Sequence, residues 1–193
     1  MTARRAQDVQ RAWSTSGARV ERVDRVLVEA LAPTVAVRGP EAHHLRDVLR
    51  LRVGAEVEAF DGQGRYARGR IAAVDRDAVT LELGEPRDST AEPRLRVTLA
   101  VALLKGDKLV DVVRPATELG VARFRPFVST NCEARELSAV KLGRLRRVAQ
   151  EAARQSGRSV VPEVEEPVPF ARLAAEGAVV VGDPAAESGL ADE

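Results

Sequence analysis

Aromatic side chains make up only 3% of these 193 residues. That scarcity argues against stacking of bases on an aromatic platform as the way the chain would hold a nucleic acid. A single cysteine, Cys132, excludes an internal disulfide framework and fits a reducing cytoplasm. No stretch approaches the roughly 18 apolar residues of a membrane span. No sign of charge dominates either, since the net charge is +1. The two histidines, His43 and His44, are neighbours. On a helix they point about 100° apart, so they do not share a metal, and no metal site is expected. Both lie in the N-terminal third, so no Ser-His-Asp order is recoverable. Neither GxGxxG nor GxxxxGK(S/T) occurs, which leaves no dinucleotide fingerprint and no P-loop.

What is present divides into four stretches. Residues 1–24 are rich in Arg, Ala and Ser and have neither hydrophobic periodicity nor the apolar core of a secretory signal. They read as a disordered extension. Residues 25–86 carry short β-like runs: Val26 to Glu29, Thr34 to Val37, Glu56 to Phe60, Tyr66 to Val74 and Ala78 to Leu83. Asp61-Gly62-Gln63-Gly64 and Asp75-Arg76-Asp77 are the hairpin turns between them. Gly39-Pro40 starts a short helix, Glu41 to Leu49, with Leu45, Val48 and Leu49 at helical spacing. The expected product is a small β-barrel with one helix. Residues 87–94, polar with Pro93 near their end, are the linker to a second domain, 95–193.

In the barrel, HHLRDVLRLR (His43 to Arg52) places Arg46 and Arg50 at i, i+4 on one helix face, with Arg52 beyond. Guanidinium forks match phosphate oxygens, so these three are candidates for phosphate contact. The competing reading pairs the arginines with Asp47, Glu56 and Glu58 on a solvated surface.

The second domain opens on Val97 to Leu104, apolar enough for a buried parallel strand, then Lys105-Gly106 and an amphipathic segment ending at Gly120. Leu109, Val112, Val113, Ala116 and Leu119 mark its apolar side. Pro115 predicts a kink or a second start. Arg123 to Val128 is the next strand. Ser138 is the N-cap of a long helix to Ser156 that stops at Gly157 and buries Leu145, Val148, Ala149, Ala152 and Ala153. A brief helix, Phe170 to Ala175, and a strand, Ala178 to Val181, follow. This alternation predicts an α/β sheet with right-handed crossovers. Arg135 to Arg158 carries an excess of five positive charges, and Ser159 to Glu193 an excess of seven negative ones.

KGDKLVDVVRPATELGV (Lys105 to Val121) and QEAARQSGRSVVPEV (Gln150 to Val164) resemble the RsmE family, bacterial 16S ribosomal RNA (uracil-N3)-methyltransferases of the SPOUT superfamily. HHLRDVLRLRVG and FDGQG look like that family's PUA-like RNA-binding barrel, which implies RNA contact by Arg25, His44, Arg46, Arg50 and Arg52. The resemblance covers Arg25 to Val181. It departs at Pro115, where the family often has lysine, at Ala55, where it usually has aspartate, and at Asn131, where it often has arginine.

The resemblance implies a trefoil-knot α/β domain, a homodimer, S-adenosyl-L-methionine as cofactor, and 16S ribosomal RNA or the small ribosomal subunit as partner. Cofactor-binding residues are expected beyond Glu193, so the domain reads as truncated before the knot. Under this reading Arg158 supplies a cation near the uridine O2 or O4, and Gln155 hydrogen-bonds the base edge. The alternative places both at a helix C-cap facing Glu163, Glu165 and Glu166. Glu118 acts as a base or fixes the turn at Gly120. Lys105 contacts phosphate or the cofactor carboxylate, or is a solvated turn residue. Two functions stay open: methylation of N3 of a uridine, or a non-catalytic RNA-binding or dimerisation module.

Overall fold

The computed structural model describes residues 23–130 and 132–173. The extension up to residue 22, Asn131 and the expected strand Ala178 to Val181 lie outside the described residues. The first strand begins at Asp24, inside the stretch assigned to the extension.

The N-terminal unit is a curled six-stranded sheet. Strands β1 (Asp24–Leu27), β2 (Thr34–Arg38), β3 (Glu56–Phe60), β4 (Arg65–Val74) and β5 (Ala78–Leu83) lie in the order β1-β3-β4-β5-β2. β1 pairs parallel to β3, and the other pairs are antiparallel. Alternation decides which face is covered: Val57 and Ala59 of β3, Ile71 of β4, and Val79 and Leu81 of β5 point inward and are buried with Val26 and Leu45. The linker is not free chain, because Arg87–Asp88 forms β6 on the edge of β4. The expected helix is two pieces: α1 (Gly39–His43) passes straight into a π-helical turn, His44–Val48.

The second unit is a parallel sheet with its own core. β7 (Thr98–Ala102) pairs with β8 (Arg123–Val128), and the far edge of β8 takes β9 (Glu163–Val164) and β10 (Val168–Pro169) in succession. β9 and β10 thus behave as one strand interrupted at Glu165–Pro167. Helix α2 (Lys108–Glu118) runs from β7 to β8 and α3 (Ala139–Ser156) from β8 to β9; α4 (Phe170–Leu173) follows β10. Leu109 and Val113 of α2 and Leu142, Leu145, Val148 and Ala149 of α3 close over Phe124 and Val164.

The ends of α3 follow from the sequence. Ser138 Oγ accepts the Lys141 amide at 3.4 Å, and Gly157 terminates the helix at φ 82°, a left-handed position open to glycine. Pro115 does not restart α2, which runs through it as one helix. It stands on the exposed side, where water can take the carbonyl that its missing amide leaves.

Candidate functional site

In a parallel α/β sheet the strands' C-terminal ends form the edge where loops can hold a ligand. Here that edge carries a cleft of about 170 Å3 between Leu103–Gly106, after β7, and Glu133–Leu137, before α3. Lys105 stands at it, paired with Glu133 at 2.9 Å, and Lys141 adds a second amine. Behind it, Ser129 bonds to Cys132 through its hydroxyl at 3.1 Å and its amide at 3.3 Å. The hydroxyl first, then the amide, and more weakly Arg135 hold the Cys132 thiol below its ordinary range. Arg135 in turn donates to the carbonyls of Ser129 and Thr130, both at 3.1 Å, which shapes the loop after β8.

The remaining catalytic and substrate candidates are elsewhere. Because α2 and α3 each start near the strands' C-terminal edge, their last residues lie at the opposite edge. An 18-residue helix spans about 27 Å. Glu118 ends α2 and stands exposed; Gln155 is exposed in the last turn of α3, with Arg158 just beyond. The structure does not bring these three to Lys105.

Arg158 is instead the centre of a joint between the two units. It is 3% exposed. Its Nε and Nη2 donate to Glu92 Oε2 at 3.1 and 2.8 Å, and its Nη1 donates to the carbonyls of Thr117 and Val121 at 2.8 and 2.7 Å. A guanidinium committed in this way has no free fork to offer a base. Nor does it pair with the acidic run after it: Glu165 is taken by Arg125 at 2.6 Å, and Arg123 stands 3.4 Å from Glu163.

The expectation that Arg25 contacts RNA meets the same joint. Arg25 donates to Glu58 at 2.8 Å, to the Arg158 carbonyl at 2.8 Å and to Ser159 Oγ at 3.1 Å, and lies 4.6 Å over the Phe60 ring. Glu41 of α1 receives Gln150 and Arg154 of α3 at 3.0 and 3.4 Å. The FDGQG turn is part of it too, since Val161 donates to the Gly62 carbonyl and Gly64 to that of Ser159. The QEAARQSGR signature therefore docks one unit on the other. Glu92, the carboxylate that pins the connecting segment to Arg158, sits in a stretch that reads as a polar linker, and no local pattern marks it.

On the sheet unit the arginines expected to meet RNA do converge. Arg46, Arg50 and Arg52 line an open groove of about 510 Å3, joined by Arg76 from the β4–β5 turn and facing Asp47 and Asp75. Arg76 escaped the sequence reading because it is flanked by Asp75 and Asp77 in a hairpin turn. His44 is half-buried at the junction of α1 and the π turn, and its carbonyl accepts the Leu49 amide at 2.9 Å; it is not among the groove's lining residues. His43 turns away to Asp47, 2.7 Å from it.

Among the described residues no three His, Cys, Asp or Glu side chains are grouped to hold a metal ion, and no helix is long and apolar enough to cross a membrane. Comparison with known proteins adds a family to this geometry. A model of the RNA methyltransferase domain matches residues 91–189, and one of the RNA methyltransferase PUA domain matches residues 37–84. The chain is similar to ribosomal RNA small subunit methyltransferase E of Bacillus subtilis, 32% identical over 74% of this chain and 57% of the relative. It is also similar to the protein of that name from Synechocystis, 34% identical over 75% and 47%. A ribosomal RNA small subunit methyltransferase E from Neisseria gonorrhoeae, solved bound to S-adenosyl methionine, superposes with a TM-score of 0.74 at 26% identity, covering 81% of this chain and 66% of that one. This chain spans about half the length of the curated relatives it matches. A PUA-type sheet joined to a parallel α/β unit, with both models matching in that order, places the chain in the ribosomal RNA small subunit methyltransferase E family of RNA methyltransferases.

Proposed function

We propose that this chain belongs to an enzyme that methylates N3 of a uridine in 16S ribosomal RNA with S-adenosyl-L-methionine, acting as a cytoplasmic homodimer. The sheet unit docks the RNA backbone and the α/β unit presents the edge where transfer occurs. The observation that carries the reading is the set of contacts from Arg25, Glu41 and the Gly62–Gly64 turn to the end of α3 and the turn after it, which hold an arginine-lined groove and a strand-end cleft on one frame. An enzyme that reads RNA at one place and reacts at another needs such a frame, because misplacement by about 1 Å can cost two orders of magnitude in rate.

The cofactor supplies an electrophilic methyl group on a sulfonium. The cleft of about 170 Å3 falls short of the roughly 300 Å3 at which pockets for small organic ligands begin. The described residues therefore do not fit the whole cofactor. At the cleft this chain provides two ammonium groups, Lys105 and Lys141, beside the carboxylates Glu133 and Glu136. Loss of the N3 proton leaves negative charge shared with O2 and O4, and an amine within hydrogen-bond reach stabilises it. Lys105 and Lys141 stand at the cleft; the buried Arg158 does not.

The small cleft also favours a second reading, a non-catalytic module that binds RNA or a second subunit. Titration calorimetry with S-adenosylmethionine on the 193-residue chain separates the two. Micromolar binding overturns the module reading.

A further inference from the structure

Four arginines line the groove on the sheet unit, and their bonding divides them. Arg46 is spent within the chain: its Nε and Nη2 donate to Asp47, at 3.0 and 2.7 Å, and its Nη1 donates to the Asp75 carbonyl at 3.2 Å and to the Arg76 carbonyl. Those two carbonyls belong to the tip of the β4–β5 hairpin, so Arg46 ties the helical segment to that tip. Its charge is cancelled locally by Asp47, which His43 also meets.

Arg50, Arg52 and Arg76 are exposed. Arg50 has φ 56°, in the left-handed region where glycine is the favoured residue. It follows the cap residue Leu49, and the Leu51 amide closes back on the Leu45 carbonyl at 3.0 Å, so the position does the work of a helix-terminating glycine. Holding a side chain there costs about 1–2 kcal/mol. Nothing in the fold requires an arginine at that cap, whereas the groove gains a charge from it. Asp75 and Asp77 flank the tip and set the background against which these three act.

Resting on the reading of this unit as an RNA-docking module, we propose that Arg50, Arg52 and Arg76 grip RNA backbone phosphates, and that Arg46 is a positioning residue that fixes the hairpin tip carrying Arg76. Guanidinium groups suit this because each meets a phosphate through two parallel N–H donors. The low aromatic content and the open shape of the groove fit backbone contact rather than base stacking.

The test is binding of a fluorescein-labelled 20-nucleotide single-stranded RNA to the full chain, measured from 50 to 200 mM salt. Each of Arg50→Gly, Arg52→Gln and Arg76→Gln is expected to shallow the slope of log K against log salt by about 0.7. Arg50→Gly is also expected to keep or raise the urea midpoint, because glycine relieves the left-handed backbone, so its loss of binding is not a loss of folding. Arg46→Lys keeps the charge but not the fork. It is expected to weaken binding as much as Arg76→Gln, and the double variant is expected to bind no worse than either single one. Wild-type slopes in the Arg50, Arg52 and Arg76 variants overturn the grip. Arg46→Lys binding like wild type, or additive loss in the double variant, overturns the positioning role. A wild-type chain that fails to bind the RNA at 50 mM salt overturns the docking reading beneath both.

Discussion

Glu92 and Arg158, 66 residues apart in the chain, meet with the guanidinium Nε and Nη2 on one carboxylate oxygen at 3.1 and 2.8 Å. The other oxygen accepts the amides of Ser159 and Val160, at 2.8 and 2.9 Å. One side chain from the connecting segment thus satisfies a buried cation and two backbone donors just past the end of α3. Glu92→Ala leaves all of these without their acceptor, and an uncompensated buried charge costs about 3–5 kcal/mol. Urea unfolding followed by circular dichroism is expected to show a loss of that size, with Glu92→Gln intermediate because its amide oxygen still accepts. A Glu92→Ala chain within about 1 kcal/mol of wild type would show that the connecting segment is not held to the α/β unit by this pair.

Arg25 gives a prediction of a different kind, because the sequence places it with the RNA contacts and the structure places it in the joint. Arg25→Ala removes the Glu58 pair, two donors to the Arg158–Ser159 turn and the stacking on Phe60. A loss of about 2–3 kcal/mol is expected, in the range of hydrogen bonds to charged groups and buried ion pairs. The salt slope of RNA binding is expected to stay at the wild-type value. A slope shallower by 0.7 or more, at unchanged stability, would return Arg25 to the RNA surface.

The elements were legible because each is governed by local rules. Ser138 and Gly157 bracket α3 at the expected residues, and β3, β5 and β8 have the bounds that alternation and turn residues gave them. The joint was not legible. Glu92 lies between Ala91 and Pro93 in a polar run, and nothing local says that it reaches Arg158. Gln155 and Arg158 looked like a substrate pair because they follow a helix end, a place that serves binding and domain docking equally well. Deciding between them needs the partner surface, which comes from residues 25, 41 and 60–64, more than 85 positions earlier in the chain. The groove was half legible: Arg46 and Arg50 share a helical spacing, but only the fold shows Arg46 bonded to Asp47 and the hairpin tip, and Arg76 brought into the groove with Arg50.

Gly120 closes the turn after α2, and two constraints meet there. Its φ is 104°, and a Cβ would lie 2.3 Å from Cγ of Pro93. Pro93 adjoins Glu92, so a shift at Gly120 reaches the joint. Gly120→Ala is expected to destabilise by about 2 kcal/mol or more, from left-handed strain and the clash together. The check is a thermal melt, with Gly143→Ala as a control in α3, where a Cβ meets nothing within 4 Å. That control is expected to gain up to about 1 kcal/mol from helix propensity. Equal melting temperatures in the two variants would remove the steric argument.

The cross-strand pair Arg125–Glu165 ties β8 to the break between β9 and β10, at 2.6 and 3.1 Å. The Arg125 hydrogen bond, then its charge and that of Arg123, hold the Glu165 carboxyl below its ordinary value of 4.5. A carboxyl with a depressed folded-state pKa binds protons more readily when unfolded. Its stabilisation is therefore complete above the unfolded value and is lost as pH falls through the folded one. Asp47, lowered by its hydrogen bond from Arg46, works in the same direction on the sheet unit. Wild-type melting temperature is thus expected to fall as pH drops below about 5, and Arg125→Gln is expected to fall less steeply. The two curves should approach each other at the acid end, while the Asp47 contribution stays common to both. Parallel curves across the whole range would mean that the Arg125–Glu165 pair contributes nothing to the acid sensitivity of the fold.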